Sequence, residues 1–405
     1  MQRRDLLTGG AALALASGTA WLARGQSEAL TQAEFDDWVS GLRGRALLAG
    51  VSDEVWQTGL QGLAPDPVVI ARRAAAAEVN QTVTDYVMKL LNGRGARARI
   101  KYASLPALAQ IEQRYGVPGG PLVAFWGMES GYGANLGDRD VLRAVATHGA
   151  AGSGGPDWSE EYIAALKILQ SGVVARTGLI GSYAGAVGQT QLMPTNYIKY
   201  GVDFDGDGRI DVWAEPLDAL ASTALDLTKV SGWRAGESWL EEVALPPGLD
   251  FKRIEPEVTQ LKPAEWDALG VRRASGQAWS AADRASSASL LLPAGITAPA
   301  FLAFPNYTAF ETYNPSLSYA VGVCLLAKFA MGEPAIRRPW PPEPLLPRES
   351  RIAAQAGLAK LGYYAGKIDG DWGKRSRKAM RDWQLASGRP RDGHLNAEDA
   401  HALAA

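Results

Sequence analysis

Apolar positions recur at helical spacing over much of the chain. In "TQAEFDDWVSGLRGRALLAG" they fall at Phe35, Trp38, Val39 and Leu42, one face of a helix. "SDEVWQTGLQGL" opens with a capping residue, Ser52, and acids in its first turn, and so predicts another. "SLPALAQIEQRYGVP" predicts a third that stops at Gly-Val-Pro, and the next is expected to start near Pro121, where proline suits the first turn. Helices and glycine-rich loops ("AGSGGPDW", "GSYAGAVGQTQLMP") then alternate up to a helix from about Pro216. Residues 240–300 alternate weakly, and "SASLLLPAG" reads as a strand in a small β-containing insertion. "SYAVGVCLLAKFA" closes this body as an apolar helix.

Six prolines lie between Glu333 and Glu349, a composition that favours an extended, semi-rigid spacer. Residues 348–405 then predict three short helices, around Ile352–Leu361, Lys374–Ala386 and Asn396–Ala404. The division expected is an export signal at 1–26, a body at 27–335, a linker at 336–347 and a small domain at 348–405. The signal is read from Arg3 and Arg4 ahead of a weakly apolar Ala/Gly/Leu run, a twin-arginine pattern that leads to the periplasm.

With 41 basic and 43 acidic residues, the charge balance excludes a polyanion-binding surface over the whole protein, and no nucleic-acid partner is expected. Cys324 is the only cysteine, so an intrachain disulfide, a thiolate metal cluster and a cysteine-linked lipid anchor at the N-terminus are all ruled out. His148, His394 and His401 are too scattered for a zinc site.

The candidate chemistry lies in "WGMESGYG". On a helix of about 121–130, Glu129 shares a stripe with Leu122, Phe125 and Trp126. Desolvation there penalises the carboxylate and favours the protonated form that a general acid needs. Asp138, Asp140, Glu160 and Glu161 are candidates for a second carboxylate, but solvated loop or helix-surface roles suit them better. "DFDGDGRID" puts Asp203, Asp205 and Asp207 at positions 1, 3 and 5 and the Arg209 carbonyl at 7, as at the start of a calcium loop, but Ala214 stands where a bidentate Glu is expected. An Asp–Gly turn uses the same residues.

"ESGYG" followed by "GSYAGAVGQTQLMPTNY" resembles the membrane-bound lytic transglycosylase B family. So, in order, do "YGVP", "DFDGDGRIDVW", "SGWRAGESW", "LLLPAG" and "FPNYTAFETYNPSLSYAVGV". The tail "LAKLGYYAGKIDGDWGKRSRKAMRDWQ" is similar to a small peptidoglycan-binding domain. The resemblance implies a mainly α (α+β) protein: a lysozyme-like catalytic domain with a helical N-terminal region and a small β-containing insertion, then a C-terminal three-helix domain. It implies cleavage of the MurNAc–GlcNAc β-1,4 bond without water, giving 1,6-anhydro ends, with Glu129 acting as acid and then as base. Tyr86, Ser182, Gln191, Tyr313, Asn314 and Tyr319 match cleft residues. Asp218 matches the acid that completes a structural calcium site, and no catalytic cofactor is implied. The expected partner is the peptidoglycan glycan strand, with cell-wall synthesis or division proteins as further candidates, and the protein is expected to be a monomer. A muramidase that uses water, or a non-catalytic wall-binding protein, are the alternatives. One departure stands out: "STALDL" puts Asp226 where the family pattern has tyrosine.

Overall fold

The computed structural model describes residues 30–72, 81–334 and 336–405. The expected export signal lies outside them. No helix among the described residues is long and apolar enough to cross a membrane.

The helices expected from periodicity form, with local chemistry that explains their ends. Gln32–Gly41 is capped by Thr31 in a reciprocal capping box with Glu34, and Asp53–Leu60 by Ser52, whose hydroxyl accepts the Val55 N–H. Leu108–Tyr115 ends at Gly116 in the left-handed conformation (φ 69°). A single helix of 22 residues, Val83–Ser104, precedes it.

Leu317–Ala330, buried along almost its whole length, packs between Val83–Ser104 and Gly119–Ser130 to make the main core, which includes Phe125, Trp126, Phe310 and Cys324. A second core joins Gln32–Gly41 to Val141–Ala150 and Trp158–Ser171 around Trp56 and Tyr162. The insertion is a five-stranded antiparallel sheet in the order Gln260–Leu261, Ala288–Leu291, Ala300–Ala303, Leu240–Ala244, Arg272–Arg273, with Leu290 opposite Leu302. Its own core centres on Trp266 and Phe304. Arg348–Lys360, Lys374–Ala386 and Ala397–Ala404 form the C-terminal bundle around Leu358, Met380 and Trp383.

The proline-rich segment, expected as an extended, semi-rigid spacer, packs onto the body. The N–H groups of Arg337 and Arg338 each donate to Glu242 at 2.7 Å, and the Trp340 ring lies 6.3 Å from that of Phe301. Glu343 meets His394 of the bundle at 2.5 Å. The bundle is itself clamped to the body. Arg377 and Arg381, 4% and 3% exposed, pair with Glu257 at 2.6 and 3.0 Å, and Arg391 pairs with Glu255 at 2.7 Å. Extension follows from proline; docking depends on side chains about 40 to 140 residues away in sequence, which local pattern does not register. A groove of about 1030 Å³ runs between the two units, lined by Asn314 and Ser316 on one side and Trp372 and Lys374 on the other.

Candidate active site

Gly119–Ser130 begins two residues ahead of Pro121 and is buried on every side; only Met128 and Glu129 are half-exposed. The apolar stripe expected from spacing is therefore a helix sunk in the core, and Glu129 stands where its last turn emerges. Gly131 ends it in the left-handed conformation (φ 61°), with its N–H on Gly127 O and the Tyr132 N–H on Trp126 O. Gly127 is required because an added Cβ would lie 2.5 Å from the Tyr132 ring. Tyr132 itself has φ 66°, a conformation costly for a bulky residue.

The Tyr319 hydroxyl donates to Glu129 Oε1. Tyr319 sits in the first turn of Leu317–Ala330, which Ser316 caps, and is 3% exposed. Burial first, and the Glu129 charge next, push its phenol well above the usual value, so it stays a donor. Tyr313, at the end of Tyr307–Tyr313, stacks on Phe125 at 4.3 Å and donates to Thr190 O at 2.5 Å. Its phenol is also raised, by burial and then by Glu129 and Asp226. Tyr86 reaches the same cluster from Val83–Ser104 and is felt by Tyr319.

The other expected cleft residues are engaged locally. Ser182 Oγ accepts the Ala186 N–H at 3.1 Å, and Asn314 Oδ1 accepts the Ser316 N–H at 3.0 Å beside the interdomain groove. Gln191, with φ 55°, donates to Leu136 O and Gly188 O. The first glutamine of "GQTQ", not expected from pattern, ties this loop to the helix that carries Glu129: Gln189 Oε1 accepts the Trp126 indole N–H at 2.8 Å. An added Cβ on Gly133 would come within 2.6 Å of the same oxygen, which accounts for the last glycine of "ESGYG".

The four candidate second carboxylates have other partners. Asp138 pairs with Arg139, Asp140 with Arg176 and Glu160 with Arg45. Glu161 departs from its expected surface role: it is 4% exposed and accepts from the N–H and hydroxyl of Thr195, fixing the start of Pro194–Tyr200. The unexpected acid is Asp226. It is 5% exposed, faces the Tyr313 side of the site, and its Oδ1 has no partner among the described residues. Burial lifts its carboxyl to about 6. The stability that the protonated form provides below pH 4 is thus lost as pH rises from 4 to 6. Asp226→Asn is expected to gain about 2–3 kcal/mol at pH 7 and nothing near pH 4, read by thermal unfolding at both pH values.

In the acidic loop, carboxylate oxygens of Asp203, Asp205 and Asp218 lie within 4.8 Å of one another. Asp207 is not in this group; its Oδ1 accepts the Arg209 N–H. Asp203 also holds the turn, accepting from Gly206 and Gly208. Asp218 is 1% exposed, and burial first, then Asp205 and Asp203, raise its carboxyl. Three converging acids, one of them desolvated, fit a hard cation.

Residues 34–328 match the transglycosylase SLT domain and residues 347–402 a peptidoglycan binding domain. Among curated proteins, membrane-bound lytic murein transglycosylase B of Escherichia coli is 36% identical over 137 residues, 32% of this chain; the match spans about a third (36%) of that protein's length. Among solved structures, SltB3 from Pseudomonas aeruginosa in complex with NAG-anhNAM-pentapeptide is 38% identical, with a TM-score of 0.81 over 92% of this chain and 99% of that one. The Escherichia coli lytic transglycosylase Slt35 in complex with calcium is 25% identical, with a TM-score of 0.59 over 74% and 93%. The chain therefore belongs to the SLT-domain transglycosylases of the membrane-bound lytic transglycosylase B type, and carries a peptidoglycan-binding domain behind its catalytic body.

Proposed function

We propose that the protein cleaves the MurNAc–GlcNAc β-1,4 bond of peptidoglycan without water and that Glu129 carries both proton transfers. The observation that carries this reading is the hydrogen bond from buried Tyr319 to Glu129 at the end of an otherwise buried helix. A phenol donating to Oε1 uses that oxygen as an acceptor, so the transferable proton sits on Oε2. Glu129 gives it to the glycosidic oxygen as the bond to the anomeric carbon breaks. The muramic 6-hydroxyl then closes on that carbon, and its proton returns to Glu129. One carboxylate suffices because the nucleophile belongs to the substrate, whereas hydrolysis ordinarily uses two. Tyr86, Tyr313, Ser182, Gln191 and Asn314 are assigned to glycan contact. SltB3, whose complex contains an anhydro-muramic sugar, supports the same product here. Wild-type digestion of purified sacculi is expected to release anhydro-muramic products on mass spectrometry; reducing ends would favour a muramidase, and no release a binding protein.

Asp203, Asp205 and Asp218 would hold calcium, which would neutralise the buried Asp218 and stiffen the loop without entering the reaction. Chelation of the metal is expected to lower the melting temperature by several degrees, equivalent to about 1–3 kcal/mol, and Asp218→Asn is expected to abolish that shift. The N-terminal segment is assigned to twin-arginine export into the periplasm, and the division at 335 and 348 separates the catalytic and wall-binding domains.

A further inference from the structure

We propose that Arg94, Arg97 and Lys101 form a cationic rail that binds the carboxylates of the peptide stem attached to the muramic sugar. This rests on the reading of the chain as acting on peptidoglycan. The three residues fall at i, i+3 and i+7 of Val83–Ser104, one face of the helix. The same face carries Leu90 and Tyr86, so it runs on from the tyrosine already at the Glu129 cluster.

The three lie along the last turns of the helix that carries Glu129 and the turn just beyond it. Arg94 Nη1 lies 3.3 Å from Met128 Sδ, the neighbour of Glu129. The Arg97 guanidinium stands 5.9 Å from the centre of the Tyr132 ring and the Lys101 ammonium 4.9 Å from that of Trp126. Aromatic faces hold such cations in place without neutralising them. None of the three is in an ion pair among the described residues, and residues 86–111 contain no Asp or Glu. Elsewhere the chain pairs its arginines readily, as at Arg139, Arg176, Arg273 and Arg377. Arg97 is exposed, while Arg94 and Lys101 are half-exposed.

A row of unneutralised cations beside the reacting centre fits an anion covalently tied to the substrate. Where a stem is attached, the muramic lactyl group is tied up as an amide and the glycan offers no such charge, whereas the stem peptide ends in a carboxylate. The rail is ~10 Å long at 1.5 Å per helical residue, the span of about three residues of extended peptide. The pentapeptide in the SltB3 complex shows that a relative accommodates a stem.

The test measures binding of soluble stem-bearing glycan strands, with the stem carboxylates free or amidated, to the full chain carrying Glu129→Gln, so that cleavage does not intrude. Strands with free stem carboxylates are expected to bind roughly tenfold tighter than the amidated strands at low salt, a margin that shrinks as salt rises. Arg94→Gln/Arg97→Gln/Lys101→Gln is expected to remove the margin. Arg94→Lys/Arg97→Lys is expected to retain it, which distinguishes charge from packing against Tyr132 and Trp126. A margin that survives the glutamine variant, or equal weakening on both ligands, overturns the proposal. Failure of the catalytic reading shows separately, as absence of anhydro products from the wild type.

Discussion

Glu129→Gln is expected to lower the rate of sacculus solubilisation by about 10³-fold or more while leaving the fold intact. One side chain is asked to act as acid and then as base, and each proton transfer contributes on the order of 10²–10⁴-fold. Glutamine matches the shape and still accepts from Tyr319, so the melting temperature and near-ultraviolet circular dichroism should stay those of the wild type. Tyr319→Phe is expected to cost about tenfold, mainly in kcat, because it frees Oε1 without removing the proton that Glu129 transfers. A Glu129→Gln variant with more than a tenth of wild-type activity would remove Glu129 from the mechanism. The measurement is turbidity loss of purified sacculi against enzyme concentration, corrected for folded fraction.

Glu257→Gln is expected to release the C-terminal bundle from the body. Glu257 lies between Arg377 and Arg381, both almost fully buried, and is held in a left-handed backbone conformation (φ 67°) that only strong packing sustains. Burial pushes its carboxyl up, but the two guanidiniums outweigh this and keep it below the usual value. Removing the charge leaves buried Arg377 without its carboxylate and Arg381 with only Glu255 at 3.6 Å, at a cost of about 3–5 kcal/mol. The cheapest escape is undocking, which hydrates both arginines. Small-angle scattering should then show a larger radius of gyration, and trypsin should cut within residues 336–347. Because the folded carboxyl is depressed, the docking it provides is complete above pH 4.5, its unfolded value, and is lost as pH falls through the lower folded value. An unchanged radius of gyration in the variant would mean that the groove between the units does not depend on this clamp.

The helices were legible because each is locally consistent: Ser52, Gly116 and Pro216 mark ends that the chain obeys. The position of Glu129 was legible only in part. Spacing put it on an apolar stripe, but Gly119–Ser130 is buried all round, and periodicity does not separate a one-sided helix from one wrapped on every face. Tyr313 and Tyr319 stand 184 and 190 residues beyond Glu129 and join it through tertiary packing, so the resemblance, not pattern, pointed to them. Gln191 is named by the resemblance alone, and "GQTQ" gives no local sign that Gln189 ties the loop to Trp126. Asp226 registered as a departure from tyrosine, yet its burial without a partner for Oδ1 emerges only from the packing. The clamp at Glu257 had no sequence signal: its arginines are 120 and 124 residues away and read individually as surface charge.

The central claim is that Glu129 drives cleavage without water, and digestion of sacculi in ¹⁸O-enriched water tests it most directly. The account predicts muropeptides with 1,6-anhydro-muramic ends and no ¹⁸O at the cleaved carbon. Muramic ends carrying one ¹⁸O, lost together with activity in Glu129→Gln, would show that water is the nucleophile and would contradict it.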